Sequence, residues 1–347
     1  MSEILLEARN IFKQFHLPTP PLTPPKTINA LNGVNLSLCK GETLGIAGES
    51  GCGKSTIAKI ILGLEEPTSG EVFFQGTNIN CFSKAEKLKF RRNVQMVFQD
   101  PYSSLNPRMR VGEIIGEPLT IHGLARGQEL RQRVLALMEQ VGLSQEHFDR
   151  YPHQFSGGQR QRIGVARALA LTPEIIIADE PLSALDISIQ AQIINLFIDL
   201  QKRLGLSYIL ISHDLAVIRH LSTKVAVMYL GRVVELAKAE DIFSGSLHPY
   251  TKALLAAIPG FNTDPGHMPL IEGDIPLSVT PLAGCPFHPR CPFRKDLCKE
   301  LLPELEEKRD HHFAACHFSC ELPVDKHIAE VNNPVNKPTE LSHENKK

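Results

Sequence analysis

Gly48-Glu49-Ser50-Gly51-Cys52-Gly53-Lys54-Ser55-Thr56 fits the pattern G-x-x-x-x-G-K-S/T. Glycines at this spacing let successive backbone N–H groups turn inward around an anion, a lysine in this place reaches β- and γ-phosphates, and the following hydroxyl ligates Mg²⁺. The apolar run Thr43-Leu44-Gly45-Ile46-Ala47 ahead of the pattern reads as a buried strand, and Ile57, Ile60, Ile61 and Leu64 behind it recur at helical spacing. Strand, glycine-rich turn and helix in that order point to a nucleoside triphosphate with Mg²⁺, held by Gly48, Ser50, Gly51, Cys52, Gly53, Lys54, Ser55 and Thr56. Cys52 is expected to contribute its backbone N–H. A helix N-terminus lowers a thiol pKa, so its side chain is also a candidate target for thiol reagents.

A second constellation lies downstream. Ile175-Ile176-Ile177-Ala178 is an apolar run that delivers Asp179 and Glu180 at its end, and open α/β sheets place their ligands outside the carboxyl ends of their strands. Beside a phosphate loop, Asp179 is expected to hold Mg²⁺, directly or through water. Glu180 is expected to orient and deprotonate an attacking water.

Groups so far apart in sequence need a scaffold that brings them together. Between Ala30 and Leu254, strand patterns at Thr43 to Ala47, Val94 to Phe98, Ile175 to Ala178 and Tyr208 to Ile211 alternate with helical ones, which predicts an α/β domain with a largely parallel sheet. From Val111 to Ala170 the pattern turns helical, with Val134, Leu135, Leu137, Met138 and Val141 on one stripe, and reads as an inserted helical subdomain. The run Ile189, Ile193, Leu196, Phe197, Leu200 and Leu204 ends in Gly205, the layout of an amphipathic helix with a glycine cap, and is assigned to core packing. Upstream, five prolines between Pro18 and Pro25 interrupt a strand pattern that runs from Leu5 to Phe15 and mark an extended loop. The reading divides the chain into a nucleotide-binding unit (1–258, insert about 111–170), a cysteine-rich segment (259–324) and a polar tail (325–347) expected to be disordered.

Composition narrows the function classes. With 37 basic against 38 acidic residues among 347, no overall field draws the chain to nucleic acid or an anionic membrane, and no nucleic-acid partner is expected. There is no uninterrupted apolar run of the about 18 residues that a membrane-spanning helix needs. The first residues lack the basic-then-apolar layout of a signal peptide, so a cytoplasmic protein is expected. Of the eight cysteines, Cys285, Cys291, Cys298, Cys316 and Cys320 crowd into one late segment, an arrangement that in a cytosolic chain argues for metal over disulfides. The intervals C-x5-C-x6-C-x17-C lack the paired C-x2-C of common zinc ribbons; four thiolates suit an iron–sulfur cluster or tetrahedral zinc, and free thiols without metal are the third reading.

Phe155-Ser156-Gly157-Gly158-Gln159-Arg160-Gln161-Arg162 resembles the signature motif of ABC-type ATPases. The family's other motifs follow in place: Gln99 in Val97-Phe98-Gln99-Asp100-Pro101, Ser183-Ala184-Leu185-Asp186 after the two acids, and His213 in Ile211-Ser212-His213-Asp214. The resemblance spans residues 5 to 255 and implies an ABC-type P-loop NTPase core with an N-terminal β subdomain and the helical insert. It implies that Ser156, Gly157, Gly158 and Gln159, at a helix N-terminus, close on the γ-phosphate of ATP held by an opposite subunit. His213 would contact the γ-phosphate and position Glu180; Gln99 would ligate Mg²⁺ or water and report nucleotide state to a membrane partner. Phe15 aligns with the family's adenine-stacking aromatic and is otherwise a core residue. Phe155 stands where leucine is commoner and should pack beneath the anion-binding turn.

A narrower resemblance is carried by His248-Pro249-Tyr250-Thr251-Lys252-Ala253-Leu254-Leu255 and Gly284-Cys285-Pro286-Phe287-His288-Pro289-Arg290-Cys291-Pro292, with Asp100-Pro101-Tyr102-Ser103-Ser104-Leu105-Asn106-Pro107 and Tyr151-Pro152-His153. These look like the ATPase subunits of dipeptide and oligopeptide importers, the second of their pair, with that group's small irregular C-terminal extension; nickel importers share much of the pattern. The resemblance implies peripheral attachment to the cytoplasmic face of the membrane and a second ABC ATPase subunit, identical or different. It also implies two transmembrane permease subunits and, indirectly, a peptide-binding protein outside. It further implies a 4Fe–4S cluster on Cys285, Cys291, Cys298 and Cys316, with zinc as the alternative metal and Cys320 as an alternative fourth ligand. These ligands are expected to lie outside the core of the nucleotide-binding unit. The rival classes are a soluble ABC ATPase acting on DNA or ribosomes, and a phosphate-loop kinase, which leaves the Ser156 motif unexplained.

Overall fold

A computed structural model of the chain describes residues 3–17, 26–258 and 283–322. The proline stretch 18–25 and the tail 325–347 lie outside the described residues. Among the described residues twelve strands run in chain order: β1 Ile4–Leu17, β2 Lys26–Cys39, β3 Thr43–Ala47, β4 Ser69–Phe74, β5 Thr77–Asn78, β6 Val94–Val97, β7 Ile175–Asp179, β8 Ser207–Ser212, β9 Lys224–Tyr229, β10 Arg232–Lys238, β11 Glu306–Arg309 and β12 His312–Ala314. They form two sheets, a four-stranded one in the order β2-β1-β4-β5 and an eight-stranded one in the order β11-β12-β10-β9-β3-β8-β7-β6. The first is antiparallel and is the N-terminal β subdomain. In the second, β9, β3, β8, β7 and β6 are parallel, as the alternation of strand and helix predicts.

Continuous apolar runs make strands that are buried on both faces, and the pleat sorts their residues. Along β7, Ile176 and Ala178 join one apolar core with the helical insert, while Ile175 and Ile177 join a second core with the β subdomain and helix Lys54–Ile61. Leu64, placed by its spacing on that helix's apolar stripe, lies past the helix end and is exposed. The insert packs helices Val111–Ile121 and Gly127–Gln140 against Gly157–Leu169, with Val134, Met138 and Val141 fully buried. Helix Ile187–Leu204 stops at Gly205, whose φ of 67° is the left-handed cap expected there. Among the described residues no helix is long and apolar enough to cross a membrane.

The C-terminal segment is built onto the main sheet. Within a stretch that reads as irregular, β11 and β12 form a hairpin, and β12 pairs antiparallel with β10. Cys285, Cys291 and Cys298 belong to the same buried cluster as Tyr229 and Tyr250 of the nucleotide-binding unit. The expectation that these cysteines lie outside the core of that unit is therefore corrected. The junction is fastened by Glu235 on β10, which is fully buried and accepts hydrogen bonds from the Leu247 N–H (2.5 Å), the His248 N–H (3.0 Å) and His312 Nε2 on β12 (2.7 Å). A buried carboxylate deprived of a donor bears its own desolvation cost. His312→Phe, which keeps a ring but drops the donor, is expected to destabilise the chain by about 1–3 kcal/mol, read as a lower urea midpoint; an unchanged midpoint would show that the junction does not depend on this bond.

Candidate functional site

The phosphate loop leaves β3 and wraps onto helix Lys54–Ile61. It must pass close to β9: a Cβ on Gly48, whose φ is 150°, would sit 2.3 Å from the Met228 carbonyl oxygen, so no other residue fits. Lys54 opens the helix but turns its ammonium back into the loop, donating to the carbonyls of Gly48 at 2.7 Å and Glu49 at 2.9 Å. A buried cation is thus fixed against two carbonyls of the loop. Cys52 is buried beside it, and burial pushes its thiol pKa up, outweighing the lowering effect of the Lys54 charge. This corrects the expectation of a reactive thiol; only its backbone faces the loop's task.

The strand β7 carries its two acids to the same place. Ser55 Oγ donates to Asp179 Oδ1 at 3.2 Å across the gap between loop and strand. Burial raises the Asp179 pKa, the Ser55 hydrogen bond opposes that, and the neighbouring Glu180 charge adds to the rise. A carboxylate disfavoured by burial and by a second acid, next to a hydroxyl, is a hard-oxygen donor set suited to Mg²⁺, whose charge would relieve both.

Glu180 sits where the chain leaves the sheet, in the left-handed region at φ 45°, a conformation that is strained for a residue with a side chain. Its amide is held by the Ile211 carbonyl of β8 at 2.8 Å. Its carboxylate is held from two sides, by Gln99 Nε2 at 2.9 Å and His213 Nδ1 at 3.2 Å. The His213 side chain is 55% exposed, so this cluster opens to solvent rather than into the core. The structure therefore brings Lys54, Ser55, Gln99, Asp179, Glu180 and His213 together.

Ser156, Gly157, Gly158 and Gln159 stand at the head of helix Gly157–Leu169, and among the described residues no hydrogen bond joins them to the loop cluster. Ser156 caps the helix: Gln159 N–H donates to Ser156 Oγ at 3.4 Å and Ser156 N–H donates to Gln159 Oε1 at 3.1 Å. Gly158 permits the close approach of helix Ile187–Leu204, because a Cβ there would come within 2.3 Å of Ile189 Cγ2. Phe155 is buried beneath the turn, edge-on to His147 at 5.0 Å. Phe15, on β1, is 38% exposed with the Lys13 ammonium 5.0 Å from its ring centre; it is a surface aromatic, which rules out the core reading.

Cys285, Cys291, Cys298 and Cys316 line one cavity with Phe287 and Phe293. Burial pushes the Cys285 thiol up to about 12 and Cys316 up to about 11, with the neighbouring thiols adding to the rise. Cys320 is exposed and does not line the cavity. Among the described residues the only trio of metal-capable side chains whose ligand atoms lie within 4.8 Å of one another is the exposed Glu307, Asp310 and His311, so no three of these sulfurs are that close. Around one zinc, Zn–S bonds of about 2.3 Å would draw the sulfurs to about 3.8 Å.

Two residues at this site carry no motif of their own. Arg290, between two of the cysteines, forms a two-pronged ion pair with Glu49 of the phosphate loop, Nη1 to Oε2 at 2.8 Å and Nη2 to Oε1 at 3.0 Å. Glu49 occupies a variable position of the loop pattern, so spacing alone gives it no role; an acid inside an anion-binding loop was the available signal.

Comparison with known proteins identifies the family. The family described as ABC transporter matches residues 31–183, and the family described as oligopeptide/dipeptide transporter, C-terminal region, matches residues 234–298, beginning inside β10. The chain is 47% identical over 318 residues to the di/tripeptide transport ATP-binding protein DppF of Pseudomonas aeruginosa, covering 91% of this chain and 98% of that one. It is 49% identical over 324 residues to the oligopeptide transport ATP-binding protein AppF of Bacillus subtilis, with the same coverage of 91% and 98%. Among solved structures, an ATP-binding cassette dimer in a post-hydrolysis state, bound to ADP and Pi, aligns with a TM-score of 0.60 at 33% identity, over 68% of this chain and 99% of its own. With the loop, the paired acids and the capped signature turn in place, the chain belongs to the ABC transporter ATP-binding proteins, in the dipeptide/oligopeptide branch.

Proposed function

We propose that the chain binds and hydrolyses ATP to drive an importer of di- or oligopeptides. The observation that carries the hydrolytic part is Glu180, held in a strained conformation between Gln99 and His213, one residue beyond the acid that meets Ser55. The peptide cargo rests on the C-terminal family match and on the two relatives named above, both peptide transport proteins, which favours peptides over nickel.

In this reading the loop amides from Gly48 to Thr56 and the Lys54 ammonium take the β- and γ-phosphates, and Phe15 stacks on the adenine. Ser55, Asp179 and Gln99 would hold Mg²⁺, which when bound neutralises charge on the β- and γ-phosphoryl oxygens. Glu180 accepts the proton of the attacking water on a carboxylate oxygen, while His213 fixes that carboxylate and faces the γ-phosphate. Ser156, Gly157, Gly158 and Gln159 present a helix N-terminus, exposed at Ser156, to the ATP of an opposite ATPase subunit, identical or different, so that a dimer completes each site. Gln99 transmits closure to two permease subunits, which receive peptide from a binding protein outside; exposed Phe98 and Tyr102, on either side of its loop, offer a docking surface on the cytoplasmic side. The chain is the second ATPase of a pair. Cys285, Cys291, Cys298 and Cys316 would hold a 4Fe–4S cluster, with zinc as the alternative metal; the cavity they share supports a common four-thiolate site, and the position of Cys320 outside it supports Cys316 as the fourth ligand.

Three outcomes are expected. Glu180→Gln should leave ATP affinity in place and lower hydrolysis by the assembled transporter about 10²–10⁴-fold; turnover at the wild-type rate would remove Glu180 from this role. Ser156→Arg should spare ATP binding by the chain but abolish ATP-driven association with its ATPase partner, measured by light scattering. Protein purified without oxygen should carry about four irons per chain; Cys316→Ser should lose them and Cys320→Ser keep them, whereas stoichiometric zinc without iron overturns the cluster and retains the four-thiolate site.

A further inference from the structure

Glu49 is the most heavily constrained residue of the phosphate loop. Its N–H donates to Tyr250 Oη at 2.9 Å, its carbonyl accepts from Lys54 Nζ at 2.9 Å, and its carboxylate takes both prongs of Arg290. Two of those three holds come from beyond β10, from Tyr250 on helix Pro249–Ala256 and from Arg290 in the turn between Cys285 and Cys291. The Arg290 side chain is only 8% exposed, and its Nη1 also lies 3.4 Å from Tyr229 Oη. The turn that carries it is itself fixed: Arg290 N–H donates to the Phe287 carbonyl at 3.0 Å, and Phe287 is buried against Tyr229 and Tyr250 with ring centres 5.3 and 5.5 Å away.

The charge of Glu49 makes this more than packing. A carboxylate two residues into an anion-binding loop repels a triphosphate unless a cation neutralises it, and a planar guanidinium bound through two parallel hydrogen bonds both neutralises and orients it. We infer that Arg290 is a positioning residue for nucleotide binding, holding Glu49 away from the phosphates and the Glu49 carbonyl against Lys54, and that the cysteine-bearing segment thereby sets the affinity of the phosphate loop for ATP. This rests on the phosphate-loop function proposed for Lys54 and adds to it a residue far downstream, the separation from Glu49 being 241 in sequence.

The test is a double-mutant cycle on the full chain, read as equilibrium affinity for Mg·ATP. Arg290→Gln should weaken ATP binding about 10- to 100-fold, the worth of a charge-assisted pair. The same change made beside Glu49→Gln should weaken it less than about threefold, because the charge needing neutralisation is gone. Arg290→Lys, which keeps the cation without the fork, is carried through the same cycle and serves if glutamine at 290 prevents folding. A loss that vanishes in the Glu49→Gln background supports the clamp. A loss that persists there marks Arg290 as a structural residue only and overturns it, as does no loss at all. Lys54→Ala is the reference: if it binds ATP like the wild type, the phosphate-loop reading fails, whereas if it loses ATP and Arg290→Gln does not, only the clamp fails.

Discussion

Strands β3, β8 and β7 lie side by side in parallel with every residue buried, so this part of the chain can present a polar group only where the strands end. All three end at the same edge, and each end delivers a group that phosphate chemistry requires: the loop and Lys54 after β3, His213 after β8, Asp179 and Glu180 at the end of β7. The convergence is a consequence of burial. Parallel register aligns the carboxyl ends, and the absence of charged residues within the strands displaces every charge to that edge. Reversing any one of these strands would bury an acid or a lysine without a partner, which a marginally stable fold cannot absorb.

At that edge the fold holds strain. The left-handed backbone at Glu180 costs about 1–3 kcal/mol, offset by its amide bond to β8 and by the two side chains gripping its carboxylate. Gln99, one of those two, belongs to a loop tied to the helical insert: Arg160 stacks 3.9 Å over Tyr102 while bonding the Pro152 carbonyl, and Arg167 donates to the Ser104 carbonyl at 2.8 Å. Arg160 and Arg167 sit on the helix that Ser156 caps. A change at the Glu180 carboxylate is therefore connected, through Gln99 and two arginines, to the turn that Ser156 caps. Rigid contacts of this kind, unlike flexible ones, let a small displacement at one end be felt at the other.

The motifs legible in the sequence were those whose chemistry depends on local spacing: the phosphate loop, the acids after an apolar strand, the capped Ser156 turn, the Gly205 stop. What the sequence left undecided depended on tertiary context. The pKa of the Cys52 thiol follows burial, which overrides the helix-end effect read from its position. The exposure of Phe15 could not be had from alternation, because β1 shifts register against β2 at several points and loses its two-residue parity; Leu5 and Leu6 are both buried. The hairpin β11–β12 is short and charged, Glu306-Glu307-Lys308-Arg309 carrying no apolar period at all, and exists because β10 offers an edge to pair with.

The link between Glu49 and Arg290 is the largest feature that spacing conceals, and its physics explains why it holds. Tyr250 is fully buried, and burial drives its hydroxyl pKa far up, so the group stays neutral and must find its hydrogen bonds inside the protein. It finds one in the Glu49 amide, which lies in the loop because Gly48 lets the backbone pass beneath β9. Glu49, once there, exposes a carboxylate that only Arg290 neutralises among the described side chains bonded to it. Each partner answers a desolvation cost created by another, on the order of 1–3 kcal/mol apiece. Moving any one of the three breaks a hydrogen bond or the ion pair that ties the phosphate loop to the C-terminal segment, so the two tend to keep their geometry together.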